Sequence, residues 1–208
     1  MSMQPFSRVT GAAIPLMRAN VDTDVIIRIE RMTALPAQEW GHWALEPLRY
    51  DDAGHELADS ILNQPRFEGA PILLAGPNFG CGSSREPAVI ALQGMGLRCV
   101  IAPSFGDIFF ANCFQNGLLP IRLPLPQVEA LAMQCDDGAP LSVDLEACHL
   151  IAPDGSIIPF EVDPTRRQAL LQGLDDIELT LKDAALITDW QNADRLRRPW
   201  AWPGHTAL

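Results

Sequence analysis

The sequence predicts an α/β protein with a short parallel sheet, crossover helices and a second, antiparallel or barrel-like sheet. Between residues 70 and 123, three short apolar runs alternate with two helical stretches through short links. Strands and helices in this alternation imply parallel strands joined by right-handed crossovers. Further along, Leu141–Ile151 and Ser156–Val162 flank a turn at Asp154-Gly155, which is typical of an antiparallel hairpin.

Apolar runs, turn formers and capping residues place the individual elements. Strands are expected at Phe6–Pro15, Pro71–Gly76, Arg98–Ala102 and Leu118–Leu123. Helices are expected at Arg85–Gln93, Ser104–Asn116, Gln127–Cys135, Asp163–Gln172 and Asp183–Arg197. Gly117 is the expected C-cap of the second helix, and Asp163 followed by Pro164 is the expected start of the fourth.

Residues 28–67 lack sustained periodicity and are interpreted as a long excursion with short helical pieces. Excursions of this length inside a compact domain are often functional. No linker divides the chain. Residues 1–190 are therefore interpreted as one domain and residues 191–208 as a C-terminal tail.

The composition argues against several classes of protein. Lys and Arg number 15 against 26 Asp and Glu, a net charge of −11, so a basic nucleic-acid-binding surface is not expected. No apolar run approaches the roughly 18 residues of a membrane span, and the N-terminus lacks the pattern of a secretory signal. The five cysteines and four histidines lack paired metal-ligand spacing, so no metal site is expected. A cytoplasmic protein without nucleic-acid or membrane partners follows.

The segment Gly80–Glu86, with the sequence GCGSSRE, lies between a predicted buried strand and the start of a helix. Open α/β sheets place ligands at this end of their strands. Glycines allow the backbone to approach a ligand, and free amides at a helix start attract anions. Arg85 adds a planar donor fork that suits a carboxylate, and Ser83 and Ser84 add hydroxyls. These features predict a pocket for a small carboxylic acid.

The same residues also allow purely structural interpretations. Ser83 and Glu86 have the spacing of a capping box, whereas Pro87 favours Ser84 as the N-cap and leaves Ser83 free. Ser104 and Asp107 have a similar spacing and are expected to cap the second helix. The turn at residues 22–24 has two interpretations: a hydrogen-bonded turn with a structural role only, and a direct catalytic role.

Four ordered motifs in this chain resemble the swivelling domain of the aconitase superfamily, and within it the small subunits of 3-isopropylmalate dehydratases. The first is GCGSSRE, which is similar to the family's Gly-x-Gly-Ser-Ser-Arg-Glu signature. The others are ANVDTDVII at residues 19–27, IAPSFGDIF at 101–109 and NGLLP at 116–120. The resemblance runs from about residue 6 to residue 190 and implies a three-layer β/β/α swivelling domain.

The resemblance implies the small subunit of a two-chain iron–sulfur hydro-lyase of leucine biosynthesis. Such an enzyme isomerises 2-isopropylmalate to 3-isopropylmalate by dehydration and rehydration. The [4Fe–4S] cluster would belong to the large subunit, so this chain itself would bind no cofactor and no metal. Its partners would be the large subunit and a small dicarboxylic acid. Residues 28–67 would recognise the substrate's variable side chain.

By the same resemblance, Ser83 would be the catalytic base and Arg85 would bind a substrate carboxylate. A serine hydroxyl can act as a base only where amides and positive charge stabilise its alkoxide. The other candidate substrate-binding residues are Gly82, Ser84, Arg18 and Arg28. Loop residues expected near the site are Asp22, Thr23, Asp24 and Cys81.

Two positions depart from the family pattern. Pro87 stands where the family usually has His, and Arg28 stands where it usually has Pro. Arg28 could contact an extra anionic group or simply face water. Citramalate, dimethylmalate and homoaconitate are therefore alternative substrates. A catalytically silent homologue that binds a small acid is the alternative from a different class.

Overall fold

The computed structural model describes residues 3–202. Its strands are β1 (Arg8–Leu16), β2 (Ile72–Ala75), β3 (Cys99–Ala102), β4 (Leu119–Arg122), β5 (Pro140–Asp144), β6 (His149–Ile151) and β7 (Ile157–Pro159). Its α-helices are α1 (Thr23–Ile26), α2 (Ile29–Ala34), α3 (Glu46–Arg49), α4 (Glu86–Gly94), α5 (Asp107–Asn116), α6 (Leu125–Cys135), α7 (Pro164–Gln172), α8 (Asp176–Leu181) and α9 (Ala184–Arg197). Short 3₁₀ helices lie at Ala37–Trp43, Ile61–Asn63, Pro65–Phe67 and Pro199–Ala201.

Strand β1 joins a parallel and an antiparallel half into one sheet with the order β4-β3-β2-β1-β5-β6-β7. Arg8–Ala12 pair antiparallel with β5, and Ala13–Leu16 pair parallel with β2. Strands β2, β3 and β4 continue in parallel, whereas β5, β6 and β7 alternate in direction. This confirms the α/β class with its parallel and antiparallel parts, which here share one strand.

Strand β2 is buried on both faces. Ile72 and Leu74 point into a core with α6 and the antiparallel strands, and Leu73 and Ala75 point into a core with α4 and α5. All four side chains are fully buried, as expected for a strand covered by structure on both sides. Helices on both faces leave the carboxyl ends of β1, β2 and β3 together at one edge.

Residues 28–67 form short helical pieces, as predicted, and they pack against the domain rather than extending from it. Ala44 and Leu45 are completely buried in the core that contains α4. Arg31 donates two hydrogen bonds to Glu46, at 3.0 and 2.7 Å, and stacks 3.5 Å from the centre of the Trp43 ring. The buried residues hold the excursion against the domain, and the Arg31 contacts hold its short pieces to one another.

The hairpin at Asp154-Gly155 and the start of α7 are confirmed. Asp163 accepts hydrogen bonds from the amides of Thr165 and Arg166, both at 3.0 Å. The single strand predicted at Leu141–Ile151 is wrong, because a turn separates β5 from β6. Asp144 accepts from the amide of Ala147 at 2.9 Å, and Cys148 adopts a left-handed φ of 51°.

The predicted Ser104–Asp107 cap is also wrong. Helix α5 begins at Asp107 with Gly106 as its N-cap, and it ends at the predicted Gly117 with φ of 81°. The Ser104 hydroxyl instead accepts a hydrogen bond from the amide of Asn78 at 2.9 Å. The Ser104 side chain, which follows β3, therefore binds the loop after β2 instead of capping α5.

Helix α9 crosses the expected boundary between residues 190 and 191 and continues to Arg197. Asp194 accepts two hydrogen bonds from Arg198, at 2.8 and 2.9 Å, and one from the indole N–H of Trp202 at 3.2 Å. These bonds tie the end of the helix to the segment after it. Residues 203–208 of the expected tail lie outside the described part. Within residues 3–202, no helix has both the length and the apolarity needed to cross a membrane.

The five free cysteines differ in accessibility. Cys99 and Cys113 are fully buried, and burial raises the pKa of both thiols. Burial also raises the pKa of Cys135 to about 11. Cys81 and Cys148 are partly exposed. Since the thiolate is the reactive form, the three buried thiols stay protonated and unreactive at a pH below their raised pKa.

We expect an aromatic disulfide reagent at about pH 8 to modify two thiols rapidly in the native chain and all five after unfolding. The double variant Cys81→Ser/Cys148→Ser should lose the rapid phase while keeping the slow one. Rapid modification of three or more thiols in the native wild type would contradict this assignment of buried and accessible groups.

Candidate active site

Three loops meet at the carboxyl ends of β1, β2 and β3, and we call residues 17–24, 76–85 and 103–106 the three-loop cluster. Backbone hydrogen bonds join the first loop to the second. The amide of Asn20 donates to Pro77 at 2.9 Å, that of Gly80 to Val21 at 2.7 Å, and that of Thr23 to Cys81 at 3.0 Å. The two loops are thus held in register like short strands.

The second and third loops are joined in the same way. The amide of Phe79 donates to Ser104 at 3.1 Å, and that of Gly106 donates to Phe79 at 2.9 Å. A Cβ at Gly106 would lie 2.4 Å from the Gly80 oxygen, and a Cβ at Gly80 would lie 2.2 Å from the Phe109 ring. Glycine is therefore required at position 106 by the close approach of two backbones, and at position 80 by the Phe109 ring and a left-handed φ of 69°.

A pair of asparagines that sequence analysis missed also joins the first two loops. Asn20 and Asn78 both have left-handed φ angles, of 56° and 60°, which asparagine tolerates better than most residues. The Asn78 side-chain amide donates to the side-chain Oδ1 of Asn20 at 2.8 Å. The signal in the sequence was an asparagine near a turn-forming residue in each loop: Asn20 stands two residues before Asp22, and Asn78 follows Pro77.

The turn at residues 22–24 connects directly to the serine-containing loop, and each of its side chains has a separate partner. Asp22 accepts from the amide of Val25 at 2.7 Å and caps α1. The Thr23 hydroxyl, in a residue only 1% exposed, donates to the carbonyl of Ser83 at 3.0 Å. Asp24 forms an ion pair with Arg85. The hydrogen-bonded turn, one of the two interpretations of these residues, is thus present. Its side chains also position the serine-containing loop.

The predicted N-caps of α4, Ser84 and alternatively Ser83, are both wrong. Helix α4 begins at Glu86, with Arg85 as an N-cap that makes no side-chain capping bond. Pro87 then occupies the second helical position, where the missing N–H removes no intrahelical bond. Within the described residues, neither serine hydroxyl is held in a hydrogen bond to the protein, and both residues are exposed.

The start of α4 concentrates groups that stabilise negative charge. Among residues 3–202, no backbone N–H from Gly82 to Glu86 donates to a protein acceptor. Arg85 is 18% exposed and lies beside Asp24, which is 56% exposed. Free amides at a helix N-terminus together with a guanidinium favour binding of a carboxylate and stabilise an oxyanion. Gly82, at φ of +90°, provides the left-handed turn that leads into this corner, by which we mean Ser83, Arg85 and the free amides at the start of α4.

Two residues that were predicted to bind substrate are not part of this corner. Arg18 and Arg28 are both exposed, and in the described part of the chain neither side chain forms an ion pair. Arg18 borders a separate pocket whose wall includes Pro47, Leu48 and Leu57. Arg28 is the N-cap residue of α2. The cluster thus brings together Cys81–Arg85 with Asp22–Asp24.

The candidate site contains no set of metal ligands. Across residues 3–202, no group of three or more His, Cys, Asp or Glu side chains could hold a metal ion. Cys81 is the cysteine of the serine-containing loop, and Cys99, Cys113 and Cys135 are buried in the cores. The cysteines present here therefore do not fit an iron–sulfur cluster on this chain.

Comparisons with known proteins agree with the motifs. The family model described as the aconitase C-terminal domain matches residues 3–126, and the LeuD_N model matches residues 129–164. A 3-isopropylmalate dehydratase small subunit from Rhodospirillum centenum is 51% identical over 201 residues, which cover 96% of this chain and 99% of that relative. The corresponding subunit from Parvibaculum lavamentivorans is 46% identical over 200 residues, covering 95% of this chain and all of the relative.

A solved structure extends the agreement to the fold. The crystal structure of a 3-isopropylmalate dehydratase (LeuD) from Methanocaldococcus jannaschii matches with a TM-score of 0.64 at 28% identity. The match covers 88% of this chain and 99% of that one. These findings confirm the resemblance predicted from the four motifs. The chain belongs to the aconitase C-terminal domain family, and within it to the small subunits of 3-isopropylmalate dehydratases.

Proposed function

We propose that this chain is the cytoplasmic small subunit of a two-chain hydro-lyase that isomerises 2-isopropylmalate to 3-isopropylmalate in leucine biosynthesis. The relatives that match nearly the whole chain are named 3-isopropylmalate dehydratase small subunit. The observation that carries the proposal is the corner formed by Ser83, Arg85 and the free amides at the start of α4. This corner suits a small dicarboxylic acid, because it offers both a carboxylate ligand and stabilisation of an oxyanion.

The large subunit would complete the site. Gly82, Ser83 and Ser84 are exposed in the isolated chain, so a second protein has to exclude water from them during the reaction. The [4Fe–4S] cluster would be held by that subunit and would supply Lewis-acid binding of the substrate hydroxyl. The residues of this chain bind, orient and deprotonate the substrate.

Ser83 would act as the base. Its Oγ would take the proton from the carbon next to a substrate carboxylate while the hydroxyl group leaves the adjacent carbon, which gives the alkene. Addition of water in the opposite sense would give the isomer. The free amides from Gly82 to Glu86 and the Arg85 guanidinium support this role, because both stabilise negative charge on oxygen.

Arg85 would bind a substrate carboxylate with its planar donor fork, and Gly82 and Ser84 would line the same corner. Arg18 and Arg28 would contact the substrate from outside this corner. The pocket beside Arg18 has an apolar wall of Pro47, Leu48 and Leu57 from the excursion, which suits the acid's branched alkyl group.

Replacing the base gives the sharpest test. We expect Ser83→Ala to lower kcat by about a thousandfold, because proton transfer loses its acceptor, while assembly with the large subunit is unchanged. The assay is the anaerobic interconversion of the hydroxy acid and the alkene, followed by the absorbance of the alkene, with the reconstituted large subunit present. Ser7→Ala, at an exposed serine before β1, is the matched control and should keep full activity.

Isopropylmalate, citramalate and dimethylmalate should be offered in parallel in this assay. Turnover of isopropylmalate that requires both chains supports the proposal, and preference for another acid would reassign the substrate. Near-normal activity of Ser83→Ala would exclude this serine as the base. An assembled wild-type complex with an intact cluster and no turnover would favour the catalytically silent homologue.

Thr23 should act as a positioning residue for Ser83. We expect Thr23→Val to lower kcat by roughly tenfold to a hundredfold with a smaller change in KM, because the Ser83 carbonyl loses its donor while the side-chain shape is kept. Thr23→Ser retains the hydroxyl and should restore most of the activity. Equal kcat values for the Val variant and the wild type would rule out this role.

A further inference from the structure

A cavity of about 740 Å³ lies between the end of β4, helix α5 and the segment of residues 159–166. Its volume is within the range of small-molecule sites. The apolar part of its wall includes Phe110, Phe114, Leu123 and Phe160. Within the described part of the chain, no residue of the three-loop cluster lines it. The cavity is therefore a second candidate for a ligand site.

Two arginines line the cavity, and both lie against the same aromatic ring. The guanidinium carbon of Arg122 is 3.8 Å from the centre of the Phe110 ring, and that of Arg166 is 5.7 Å from it. Arg166 also lies 4.8 Å from the centre of the Phe114 ring. Stacking on an aromatic ring uses the face of a guanidinium and leaves the N–H groups at its edge free to bind an anion.

Neither arginine has an acidic partner. Among residues 3–202, neither guanidinium donates a hydrogen bond or forms an ion pair. The cavity wall also contains two carboxylates, those of Glu161 and Asp163. Asp163 accepts hydrogen bonds from the amides of Thr165 and Arg166, and Glu161 is exposed. Because two like charges beside one ring repel each other, an anion bound between them is stabilised by both.

We propose that this cavity binds a small organic dianion that also carries an apolar group. Two donor forks suit either two carboxylates or the oxygens of one phosphate group. The buried side chains of Leu123 and Phe160 provide an apolar surface for the rest of the molecule. The Phe110 ring lies 5.5 Å from the ring of Phe105, which belongs to the third loop of the three-loop cluster. A ligand in the cavity would therefore also support the aromatic contact behind that loop.

Isothermal titration calorimetry of the full-length chain tests the proposal, with phenylsuccinate and phenyl phosphate as probes. At about pH 8 each probe carries about two negative charges and one apolar ring. We expect saturable binding, and the tighter probe identifies carboxylate or phosphate as the group that the arginines bind. Succinate lacks the ring and benzylamine lacks the negative charge, so both should bind at least about tenfold more weakly.

Single substitutions identify the residues that bind the probe. Arg122→Gln and Arg166→Gln should each weaken binding by about tenfold, because each removes one charged donor fork. Glu161→Gln should strengthen binding by about twofold to threefold, because it removes a repelling carboxylate, and misfolding cannot imitate this gain. Arg195→Gln is the matched control and should bind like the wild type, because Arg195 stacks 4.6 Å from the Trp202 ring outside the cavity.

Arg85→Gln separates this cavity from the corner at the start of α4, and it should leave binding of the probe unchanged. Three outcomes would overturn the proposal: neither probe binds, binding is lost in Arg85→Gln, or binding persists in both Arg122→Gln and Arg166→Gln. A pull-down with the large subunit identifies the other occupant. If the wild-type chain binds no probe and Arg122→Gln weakens binding of the large subunit, the cavity receives a group of that subunit instead.

Discussion

The candidate site depends on backbone hydrogen bonds that hold three loops in register. The amides of Asn20, Thr23 and Gly80 join the first two loops, and those of Phe79 and Gly106 join the second to the third. The third loop can approach the second only with glycine at position 106, because a Cβ there would lie 2.4 Å from the Gly80 oxygen. A buried Thr23 hydroxyl then fixes the Ser83 carbonyl. Loops usually tolerate variation, but the proposed chemistry requires a rigid arrangement, because a base must meet its proton in a defined geometry.

The topology places these loops at one edge. Strand β1 changes from an antiparallel to a parallel partner at its middle, so its carboxyl end lies beside those of β2 and β3. Parallel strands aligned in this way bring three connections to one place. Helices α4 and α5 cover one face and α6 the other, which leaves that edge as the accessible part of the parallel sheet. The antiparallel half adds core volume on the α6 side and contributes no residue to the three-loop cluster.

Local chemistry made some features predictable and tertiary contacts made others unpredictable. Asp163 and Gly117 act at the helix ends where they were predicted, because capping depends on neighbouring residues alone. The cap expected at Ser104 failed because a distant residue took over: the Asn78 amide donates to the Ser104 hydroxyl. Helix α4 begins at Glu86, beyond the expected cap at Ser84, and a distant residue, Thr23, holds the Ser83 carbonyl in the loop before it. The Asp24–Arg85 pair joins residues 61 positions apart, which no spacing rule could reveal. The motif predicted the candidate residues, and the fold determines how they are held.

The central claim is that this chain organises its half of the site before it meets a partner or a substrate. Hydrogen–deuterium exchange of the isolated chain, resolved to single amides, tests this most directly. The amides of Thr23, Gly80 and Gly106 should exchange slowly, because each donates within the three-loop cluster, while those from Gly82 to Glu86 should exchange rapidly. Rapid exchange at Thr23, Gly80 and Gly106 would contradict the account, because it would mean that the loops are joined only after the large subunit binds.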